Sequence, residues 1–508
     1  MHPRLRPVGW LVLLVAASAC QDTTQPPSLE LTPPVAQASA AGQEHGRGAD
    51  RSAEAHGPRI AREVPGFGGW YFDDNGDLNV WVRDAGVHGG RARAVAAQVA
   101  QEVRLIPAKP GYKIIVREGQ YGWQELSDWR DRVEMIADRL DGVRFVDLDE
   151  SVNRVTMGVN SGIARVQARR QATEAGVPVS ALSIQVVADC PPDALDCNDP
   201  CSLDPSSCED PCSINPNDPS CSMDPCEINP SDPACQPPPQ DSGVTPVELP
   251  PPSLIANQTL DSEFSIMRAG IRTRSSTRMD GASPCSIGAI ARSSTYGAVF
   301  LTASHCTYDQ GGVTGARDFF QAYMSRPQFA GVEVFDPPYV TPSGCSWYSS
   351  GSACYLRRNS DAALVQIQNR SSEIGTIARP AERKREGQGR GSLSINPSRP
   401  KLQIVATSTS TVARGTRLDK IGATSGWTSG TVQTVCVTAY QTYPNKRQLT
   451  CQNTANYLNE HGDSGGPVFY VENEAQGTVY LMGIHHMRNG TYSPLAQINR
   501  DIPGLVYH

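Results

Sequence analysis

The 508-residue chain has few aromatic residues, no Cys-x2-Cys pair and one long apolar run, residues 8–17, close to its start. That run is shorter than the ~20 apolar residues that a helix needs to cross a bilayer, so no spanning helix is expected. The missing Cys-x2-Cys spacing argues against a zinc site, and no metal is predicted for the site residues. The net charge of −7 and the lack of a basic stripe exclude nucleic acid as an expected partner.

Lysine and arginine are also missing from residues 171–267, where sixteen acidic residues occur; without this stretch the net charge would be +9. Eight of the fifteen cysteines lie here, between Cys190 and Cys235, in a repeat rich in Pro and Asp. Because the repeat has too few apolar residues to build a hydrophobic core, any ordered structure in it would depend on disulfides. We assign residues 189–260 to a Cys/Pro/Asp-rich repeat spacer and linker.

Two roles for the spacer stay open. Asp and Asn oxygens are hard ligands, so a calcium-binding or adhesive stalk is one hypothesis, and calcium is the only cofactor considered. The other is a stiff, protease-resistant linker, which is favoured because the repeat lacks an EF-hand-like ligand register.

The first residues are typical of an export signal. Arg4 and Arg6 precede the apolar run, and small residues at 17–19 precede Cys20. We predict a signal peptide at 1–19 and a disordered tether at 20–62, which is rich in Pro, Ala, Ser and Gln. Residues 18–20 resemble a bacterial lipobox, and a leftover cysteine there favours lipidation of Cys20 over ordinary cleavage. The chain is expected to be exported by a bacterium, as an outer-membrane or cell-surface lipoprotein or as a secreted protein.

Residues 63–188 have the pattern of an α+β domain. Two β-rich runs flank Asn75-Gly76, a strong hairpin signal. A strand at 112–116 follows, and then a helix whose apolar residues step by three and four positions: Leu126, Trp129, Val133, Ile136 and Leu140. Strands at 143–147 and 154–159, a helix at 162–175 and a strand at 184–187 complete the order β-α-β-β-α-β, which is ferredoxin-like.

The motif that carries chemistry is His-Gly-Asp-Ser-Gly-Gly-Pro at residues 461–467. A serine hydroxyl needs a base and oxyanion donors to act as a nucleophile, and a glycine-rich turn supplies exposed N–H groups. We expect Ser464 to be the nucleophile, with the N–H groups of Gly462 and Ser464 forming the oxyanion hole. Gly465 and Gly466 are expected to leave room for a substrate backbone.

A base and an orienting acid lie upstream. His305 ends an apolar run, and Asp361 stands before another, so the order is His, Asp, Ser with gaps of 56 and 103 residues. That order is found in chymotrypsin and differs from the orders of subtilisin and the α/β-hydrolases. A histidine beside a cysteine, or an aspartate before a strand, is often merely structural; the three together favour catalysis.

On these residues, the segment 261–508 resembles the chymotrypsin-like serine proteases, and within them the bacterial streptogrisin and glutamyl endopeptidase relatives. The resemblance implies an all-β double six-stranded β-barrel protease domain, with His305 as general base and Asp361 as its orienting partner. It also implies that residues 63–188 are a streptogrisin-like pro-domain that binds its own protease as inhibitor and folding chaperone.

The resemblance extends to cysteines and to a second carboxylate. Cys285 with Cys306 matches the family bridge beside the histidine, and Cys345 with Cys354 and Cys436 with Cys451 are neighbouring pairs of the kind that form disulfides in exported proteins. The resemblance also implies a partner for Asp463, because relatives neutralise this second carboxylate with either a buried cation or a new N-terminal amine. The candidates are Lys420, Arg414 and Arg417, and the sequence does not choose among them.

Specificity follows from the residues aligned with the primary pocket. Leu458 at its base, where trypsin relatives have aspartate, argues against Lys or Arg substrates. Gly-Ile-His at 483–485 resembles glutamyl endopeptidases, so cleavage after Glu competes with an apolar preference. The pocket residues are expected to be Leu458, His461, His485, His486 and Arg488; alternatively, His485 packs in a strand and His486 contacts the triad region.

We therefore predict an exported serine endopeptidase, made as a zymogen, that acts on protein or peptide substrates through an acyl-enzyme. The alternatives are a protease-shaped binding domain without catalysis and a surface adhesion or calcium-binding stalk protein. An intact set of His, Asp and Ser favours the enzyme.

Overall fold

The computed structural model describes residues 56–187, 258–262, 264–276, 284–307, 310–313, 317–321, 328–341, 355–407, 412–441 and 446–508. The predictions for the signal peptide, Cys20, the tether up to residue 55, the cysteine repeat and the pair Cys345 and Cys354 lie outside the described residues.

Residues 56–62, which were expected to belong to the disordered tether, instead form most of a helix in which Ile60 is fully buried. Together with residues 63–187, which are α+β as expected, they make up the N-terminal segment, residues 56–187. Its helices and strands are α1 (His56–Glu63), β1 (Phe67–Phe72), β2 (Leu78–Val82), α2 (Ala85–Glu102), β3 (Ile114–Glu118), α3 (Trp123–Ala137), β4 (Val143–Asp149), β5 (Arg154–Val159), α4 (Gly162–Glu174) and β6 (Leu182–Val186).

Helix α3 shows how the apolar spacing becomes structure. The Glu125 carboxylate accepts the Gly122 N–H at 2.9 Å, which satisfies one donor at the start of the helix. Leu126, Val133 and Ile136 are buried on one face, as predicted. The helix therefore packs this face on β4 and β5 while its other face stays in solvent.

The predicted hairpin is confirmed, because β1 pairs antiparallel with β2 and Phe72 stands opposite Leu78. The ferredoxin-like topology is wrong. Strand β3 pairs with β2, and β4, β5 and β6 form a separate group in which β6 is a parallel neighbour of β5. Element order was right, but order along a chain does not specify which strands become neighbours. Helix α2 was not anticipated; three glycines interrupt its apolar pattern.

Among the described residues, no helix has both the length and the apolar character needed to span a membrane.

In the residues that the structure describes, the regular elements of the C-terminal segment are strands apart from one α-helix and one short 3-10 turn, which confirms the all-β class. The strands are β7 (Ile266–Ala269), β8 (Arg272–Ser275), β9 (Cys285–Ser286), β10 (Ala289–Ser293), β11 (Gly297–Thr302), β12 (Asp318–Gln321), β13 (Gln328–Phe335), β14 (Leu356–Arg358), β15 (Ala363–Ile367), β16 (Ser371–Ala378), β17 (Arg383–Arg385), β18 (Lys401–Thr407), β19 (Arg417–Gly422), β20 (Gly426–Gln441), β21 (Arg447–Ala455), β22 (Pro467–Asn473), β23 (Thr478–Met487), β24 (Thr491–Pro494) and β25 (Leu505–Val506), and the α-helix is α5 (Leu495–Asp501).

These strands form two sheets. The first has the order β25-β10-β11-β15-β13-β12-β8-β9, and its neighbours are antiparallel. The second runs β14-β21-β24-β23-β22-β19-β20. Apolar side chains from both sheets share one buried cluster, which includes Phe300, Phe319 and Phe469.

The second sheet continues into the N-terminal segment. Strand β20 pairs antiparallel with β4, with Thr438 opposite Val146. Tyr355 and Tyr440 of the C-terminal segment are buried in the apolar core of the N-terminal segment. Polar contacts border this junction: the Asp138 carboxylate accepts an Arg357 N–H at 2.6 Å, and Glu134 accepts the Thr438 hydroxyl at 3.0 Å. The two segments therefore share both a sheet and a core.

Candidate active site

The nucleophile turn, residues 461–467, leads directly into β22. Gly462 and Gly465 have φ angles of 107° and 88°. A Cβ at Gly462 would lie 2.3 Å from Thr424 Oγ1, and one at Gly465 would lie 2.3 Å from the Ser286 carbonyl oxygen. Both positions therefore require glycine, for backbone angle and for space.

The space beside Gly465 and Gly466 is filled by other parts of the chain. A Cβ at Gly466 would lie 2.4 Å from the Ile421 carbonyl oxygen, at the end of β19, and Gly465 faces β9. The expectation that Gly465 and Gly466 leave room for a substrate is therefore corrected. These two glycines let β9 and β19 pack against the turn that carries Ser464.

The turn leaves two N–H groups without acceptors. Asp463, Gly465 and Gly466 donate their N–H groups to backbone carbonyls at 3.0, 2.7 and 2.8 Å. Within the described part of the chain, the Gly462 and Ser464 N–H groups donate to no protein acceptor. Unpaired backbone donors beside a nucleophile are the groups that an oxyanion hole requires.

His305 lies in a single turn of 3-10 helix, Ser304–Cys306, just after β11. Asp361 stands two residues before β15, the strand that pairs with β11. Because the two strands are neighbours, the two side chains meet: His305 Nδ1 is 2.7 Å from Asp361 Oδ2, and the His305 N–H donates to Asp361 Oδ1 at 3.1 Å.

The Asp361 carboxylate is fully buried. Burial would raise its pKa, but the attraction and hydrogen bond of the His305 ring, with help from Arg358, lower it well below the usual range. Asp361 is therefore ionised at neutral pH. A buried carboxylate that accepts from the His305 Nδ1–H leaves Nε2 of that ring as the basic nitrogen.

A second buried carboxylate, in the same region as His305 and Asp361, was missed by the sequence analysis. Asp336 accepts from Arg358 Nη1 and from the Ser304 hydroxyl, both at 2.7 Å. The Arg358 and Asp336 side chains are almost completely buried. Because Ser304 is next to His305 in the sequence, this ion pair stabilises the segment that carries His305. The three residues are scattered along the chain, so no motif signals them.

Lys420 is the cation that neutralises Asp463. Its Nζ lies 2.6 Å from Asp463 Oδ2, and both side chains have no exposed surface. Asp463 also accepts the N–H groups of Thr424, Ser425 and Glu460 at 2.8–3.0 Å. Burial opposes ionisation, but Lys420 and these donors lower the pKa of Asp463 to about 2.

The other two candidates lie elsewhere. Arg414 pairs with Asp149 of the N-terminal segment at 3.3 Å, and Arg417 is exposed at the start of β19. Lys420 lies on β19, which pairs with β22, the strand that follows the nucleophile turn. Of the three cations, only Lys420 combines this position with a side chain that points inward.

The residues expected to line the pocket have different surroundings. His485 is buried, and its Nδ1 is 3.3 Å from the Tyr457 hydroxyl. Burial, together with the charge of Lys420, lowers the pKa of His485 well below its usual value, so the ring is neutral. Leu458 is half-buried, and its carbonyl accepts the Thr428 hydroxyl at 2.7 Å. His461 is exposed, whereas Arg488 is half-buried near the end of β23.

His486 differs from its expected pocket role. Its ring is buried with Nδ1 3.6 Å from Asp361 Oδ2 and Nε2 3.0 Å from Gln452 Oε1. The ring therefore faces the triad aspartate, in line with the alternative considered from the sequence.

Two of the predicted disulfides are formed, Cys285–Cys306 and Cys436–Cys451. The first ties β9 to the His305 turn, and the Ser286 N–H next to it donates to the Ser464 carbonyl at 2.7 Å. Cys285, His305 and Cys306 are also the one cluster of potential metal ligands among the described residues. With both sulfurs in a disulfide, this cluster does not fit a metal ion.

Replacing Lys420 by methionine should lower the free energy of unfolding by about 3–5 kcal/mol, because the Asp463 charge would be left buried without its cation. Urea unfolding of Lys420→Met at neutral pH measures the effect. Lys401→Met is the matched control, since Lys401 pairs with Glu373 at the surface and such a pair contributes at most about 1 kcal/mol. Equal losses in the two variants would contradict the role given to Lys420.

Comparison with known proteins agrees with this geometry. Residues 275–500 match the family model described as Trypsin. No curated protein sequence matches the chain.

Three proteases are among the solved structures that are similar to this chain. Thermobifida fusca protease A is 18% identical over 48% of this chain and 100% of its own, with a TM-score of 0.30. A glutamic acid specific serine protease, described as using a histidine triad in substrate binding, is 19% identical over 48% and 100%, with a TM-score of 0.28. Cellulomonas bogoriensis chymotrypsin is 19% identical over 47% and 97%, with a TM-score of 0.28.

The family match covers His305 and Asp361, which meet at adjacent ends of two paired strands, and Ser464, whose carbonyl oxygen lies 3.8 Å from Cys306 Sγ. The chain therefore carries a trypsin-family domain at residues 275–500, the domain of a serine endopeptidase.

Proposed function

We propose that Ser464, His305 and Asp361 form the catalytic triad, and that the N–H groups of Gly462 and Ser464 bind the oxyanion. The observation that carries this proposal is the 2.7 Å contact between His305 Nδ1 and the buried Asp361 carboxylate, at adjacent ends of paired strands. The two backbone donors without protein acceptors in the nucleophile turn support it.

In this mechanism the Ser464 hydroxyl attacks the carbonyl carbon of the scissile bond, and its proton passes to His305 Nε2. The imidazolium that results is stabilised by the Asp361 carboxylate. The tetrahedral oxyanion accepts from the two N–H groups. His305 then protonates the leaving amine, and an acyl-enzyme remains on Ser464. Water, activated by the same ring, completes hydrolysis.

A fluorophosphonate probe, which reacts with an activated serine, should label the parent protein and not Ser464→Ala. His305→Ala should lower the labelling rate by about 10⁴-fold or more, because the hydroxyl loses its base. Ser294→Ala is the control, since Ser294 is an exposed serine in the turn after β10. Labelling that survives in Ser464→Ala would contradict the assignment of the nucleophile.

For the primary pocket we propose a non-basic preference: cleavage after an apolar residue or after glutamate. Leu458 supports the rejection of Lys and Arg, because it offers no charge to pair with them. Acid recognition is supported by His485. When the Tyr457 hydroxyl donates to Nδ1, the proton of the neutral ring lies on Nε2, where it can be donated to a carboxylate.

A series of peptide substrates that differ only at the cleaved residue tests this proposal. We expect kcat/KM to be lowest for Lys and Arg. A preference for Glu over Gln should fall by about 10-fold or more in His485→Leu, because the site loses its donor to the carboxylate. Best cleavage after Lys or Arg would contradict the pocket assignment, and an unchanged Glu preference in His485→Leu would remove His485 from it.

We further propose that the protein is a zymogen whose residues 63–188 bind the protease domain in cis. The pairing of β4 with β20 and the shared core support this association. The Lys420–Asp463 pair supports a particular mode of activation. Because the cation for Asp463 comes from within the domain, a newly cut N-terminus is not needed to organise the turn. Inhibition would then be relieved by release of the N-terminal segment.

Asp138→Arg should raise the initial peptide hydrolysis rate of the freshly purified full chain. Its new charge would face Arg357, and a like-charge contact in place of a 2.6 Å ion pair costs on the order of 1 kcal/mol or more, which is about fivefold in the bound fraction. Asp128→Arg, on the exposed face of α3, the helix that ends just before Asp138, is the control. Equal initial rates for Asp138→Arg and the parent would contradict an inhibitory role for this interface.

Export by the N-terminal signal, with a lipid anchor on Cys20, is also proposed. Support comes from the sequence alone: basic residues, an apolar run and small residues before the cysteine. Mass spectrometry of the mature N-terminus distinguishes a diacylglyceryl cysteine from ordinary cleavage.

A further inference from the structure

Two histidine rings meet the same oxygen of the triad aspartate. His305 Nδ1 is 2.7 Å from Asp361 Oδ2, and His486 Nδ1 is 3.6 Å from it. His486 lies on β23 and is 2% exposed, so no solvent shields the two groups from each other. The first distance is a hydrogen bond and the second is not. The protonation state of His486 Nδ1 therefore matters for Asp361.

Gln452 on β21 determines that state. Its Nε2 amide group donates to the carbonyls of Asn359 and Thr450 at 2.6 and 2.8 Å. Because both carbonyls can only accept, the amide is oriented with Oε1 away from them. Oε1 is 3.0 Å from His486 Nε2 and also accepts the Ser493 hydroxyl at 2.8 Å. An amide oxygen cannot donate, so His486 Nε2 must carry the proton.

With the proton on Nε2, the neutral His486 ring presents a lone pair to Asp361. Its Nδ1 atom is buried and makes no hydrogen bond within the described residues. The charged or titratable groups that face the ring are Asp361, His305 and Arg358. Burial lowers the pKa of His486 to about 4; Asp361 opposes that shift, and His305 and Arg358 add to it. The ring is therefore neutral at the pH where His305 acts as a base.

We propose that His486 is a positioning residue of the triad, held by Gln452 in the Nε2–H tautomer so that it donates nothing to Asp361 and leaves Oδ2 to His305. The proposal rests on the triad assigned above. The opposite tautomer would place an Nδ1–H opposite Oδ2. A carboxylate oxygen accepts two hydrogen bonds, but this second N–H would draw negative charge from Oδ2 and weaken the bond that orients the catalytic ring.

The same amide also supports the aspartate backbone. The Ser493 hydroxyl, which donates to Gln452 Oε1, accepts the Asp361 N–H at 2.9 Å. Gln452 is thus connected to Asp361 by two routes: through His486 to its carboxylate, and through Ser493 to its backbone N–H. Loss of Gln452 could act through either route, and a single variant cannot separate them.

Gln452→Met removes the acceptor for His486 Nε2 at similar side-chain length. The ring is then free to adopt the Nδ1–H tautomer and to donate to Asp361. We expect kcat for a peptide substrate to fall by about 10-fold or more with KM little changed, because general-base catalysis contributes about 10²–10⁴-fold and the pocket is untouched. A kcat equal to that of the parent would overturn the proposal.

The double variant Gln452→Met with His486→Phe separates an effect of the His486 tautomer from a purely structural effect of losing Gln452. Phenylalanine keeps a ring in the buried site but has no N–H to compete with His305. We expect kcat to recover to within about threefold of the parent, since the competing donor is gone. A double variant that is as slow as Gln452→Met, or slower, would overturn the proposal, because lost support for the backbone explains that result.

Long-range ¹⁵N–¹H correlation spectra of the parent protein at neutral pH give a test that needs no variant. They should show His486 with its proton on Nε2, and a proton on Nδ1 would overturn the proposal. Fluorophosphonate labelling of the parent is measured alongside. If the parent is not labelled at Ser464, the proposed triad fails; if it is labelled but the double variant shows no recovery, only the role of His486 fails.

Discussion

The nucleophile turn depends on one buried ion pair, Lys420 with Asp463. Asp463 stands beside Ser464, and its oxygens accept three backbone N–H groups in addition to the Lys420 ammonium. A carboxylate this deeply buried is tolerated only with a cation and a full set of donors. Those contacts hold the turn with two N–H groups that have no acceptor among the described residues, and the same contacts draw β19 against β22. The geometry of the proposed oxyanion hole is therefore a consequence of how one charge is neutralised.

The rest of the site comes from strand pairing in the other sheet. His305 and Asp361 are 56 residues apart in sequence, yet they lie at adjacent ends of β11 and β15. Around them, buried polar groups accept and donate in a connected network: Arg358 and Asp336 under Ser304, and Gln452 and Ser493 behind Asp361. In a dry interior such a network is stable only when its members are satisfied. That requirement is why the orientation of one amide, Gln452, bears on the tautomer of a histidine.

The N-terminal segment is attached to the part of the protease domain that supports the site. Strand β20 pairs with β4 at one edge and with β21 at the other, and β21 carries Gln452. Tyr440 on β20 is buried in the core of the N-terminal segment. The two segments consequently fold against a common sheet, which is the contact on which the proposed zymogen depends.

The sequence by itself determined the local features: the hairpin at Asn75-Gly76, helix α3, the strand-rich protease segment, and the choice of Ser464, His305 and Asp361 as the proposed triad, because turn residues, apolar periodicity and a short motif are encoded by neighbours along the chain. It did not determine which strands pair, so the ferredoxin-like topology was wrong, and it left Lys420, Arg414 and Arg417 equivalent. Tertiary structure alone decided the cation for Asp463, the Arg358–Asp336 pair and the placement of His486 against Asp361. Each is a contact between residues far apart in sequence, and such contacts exist only once both sheets are packed.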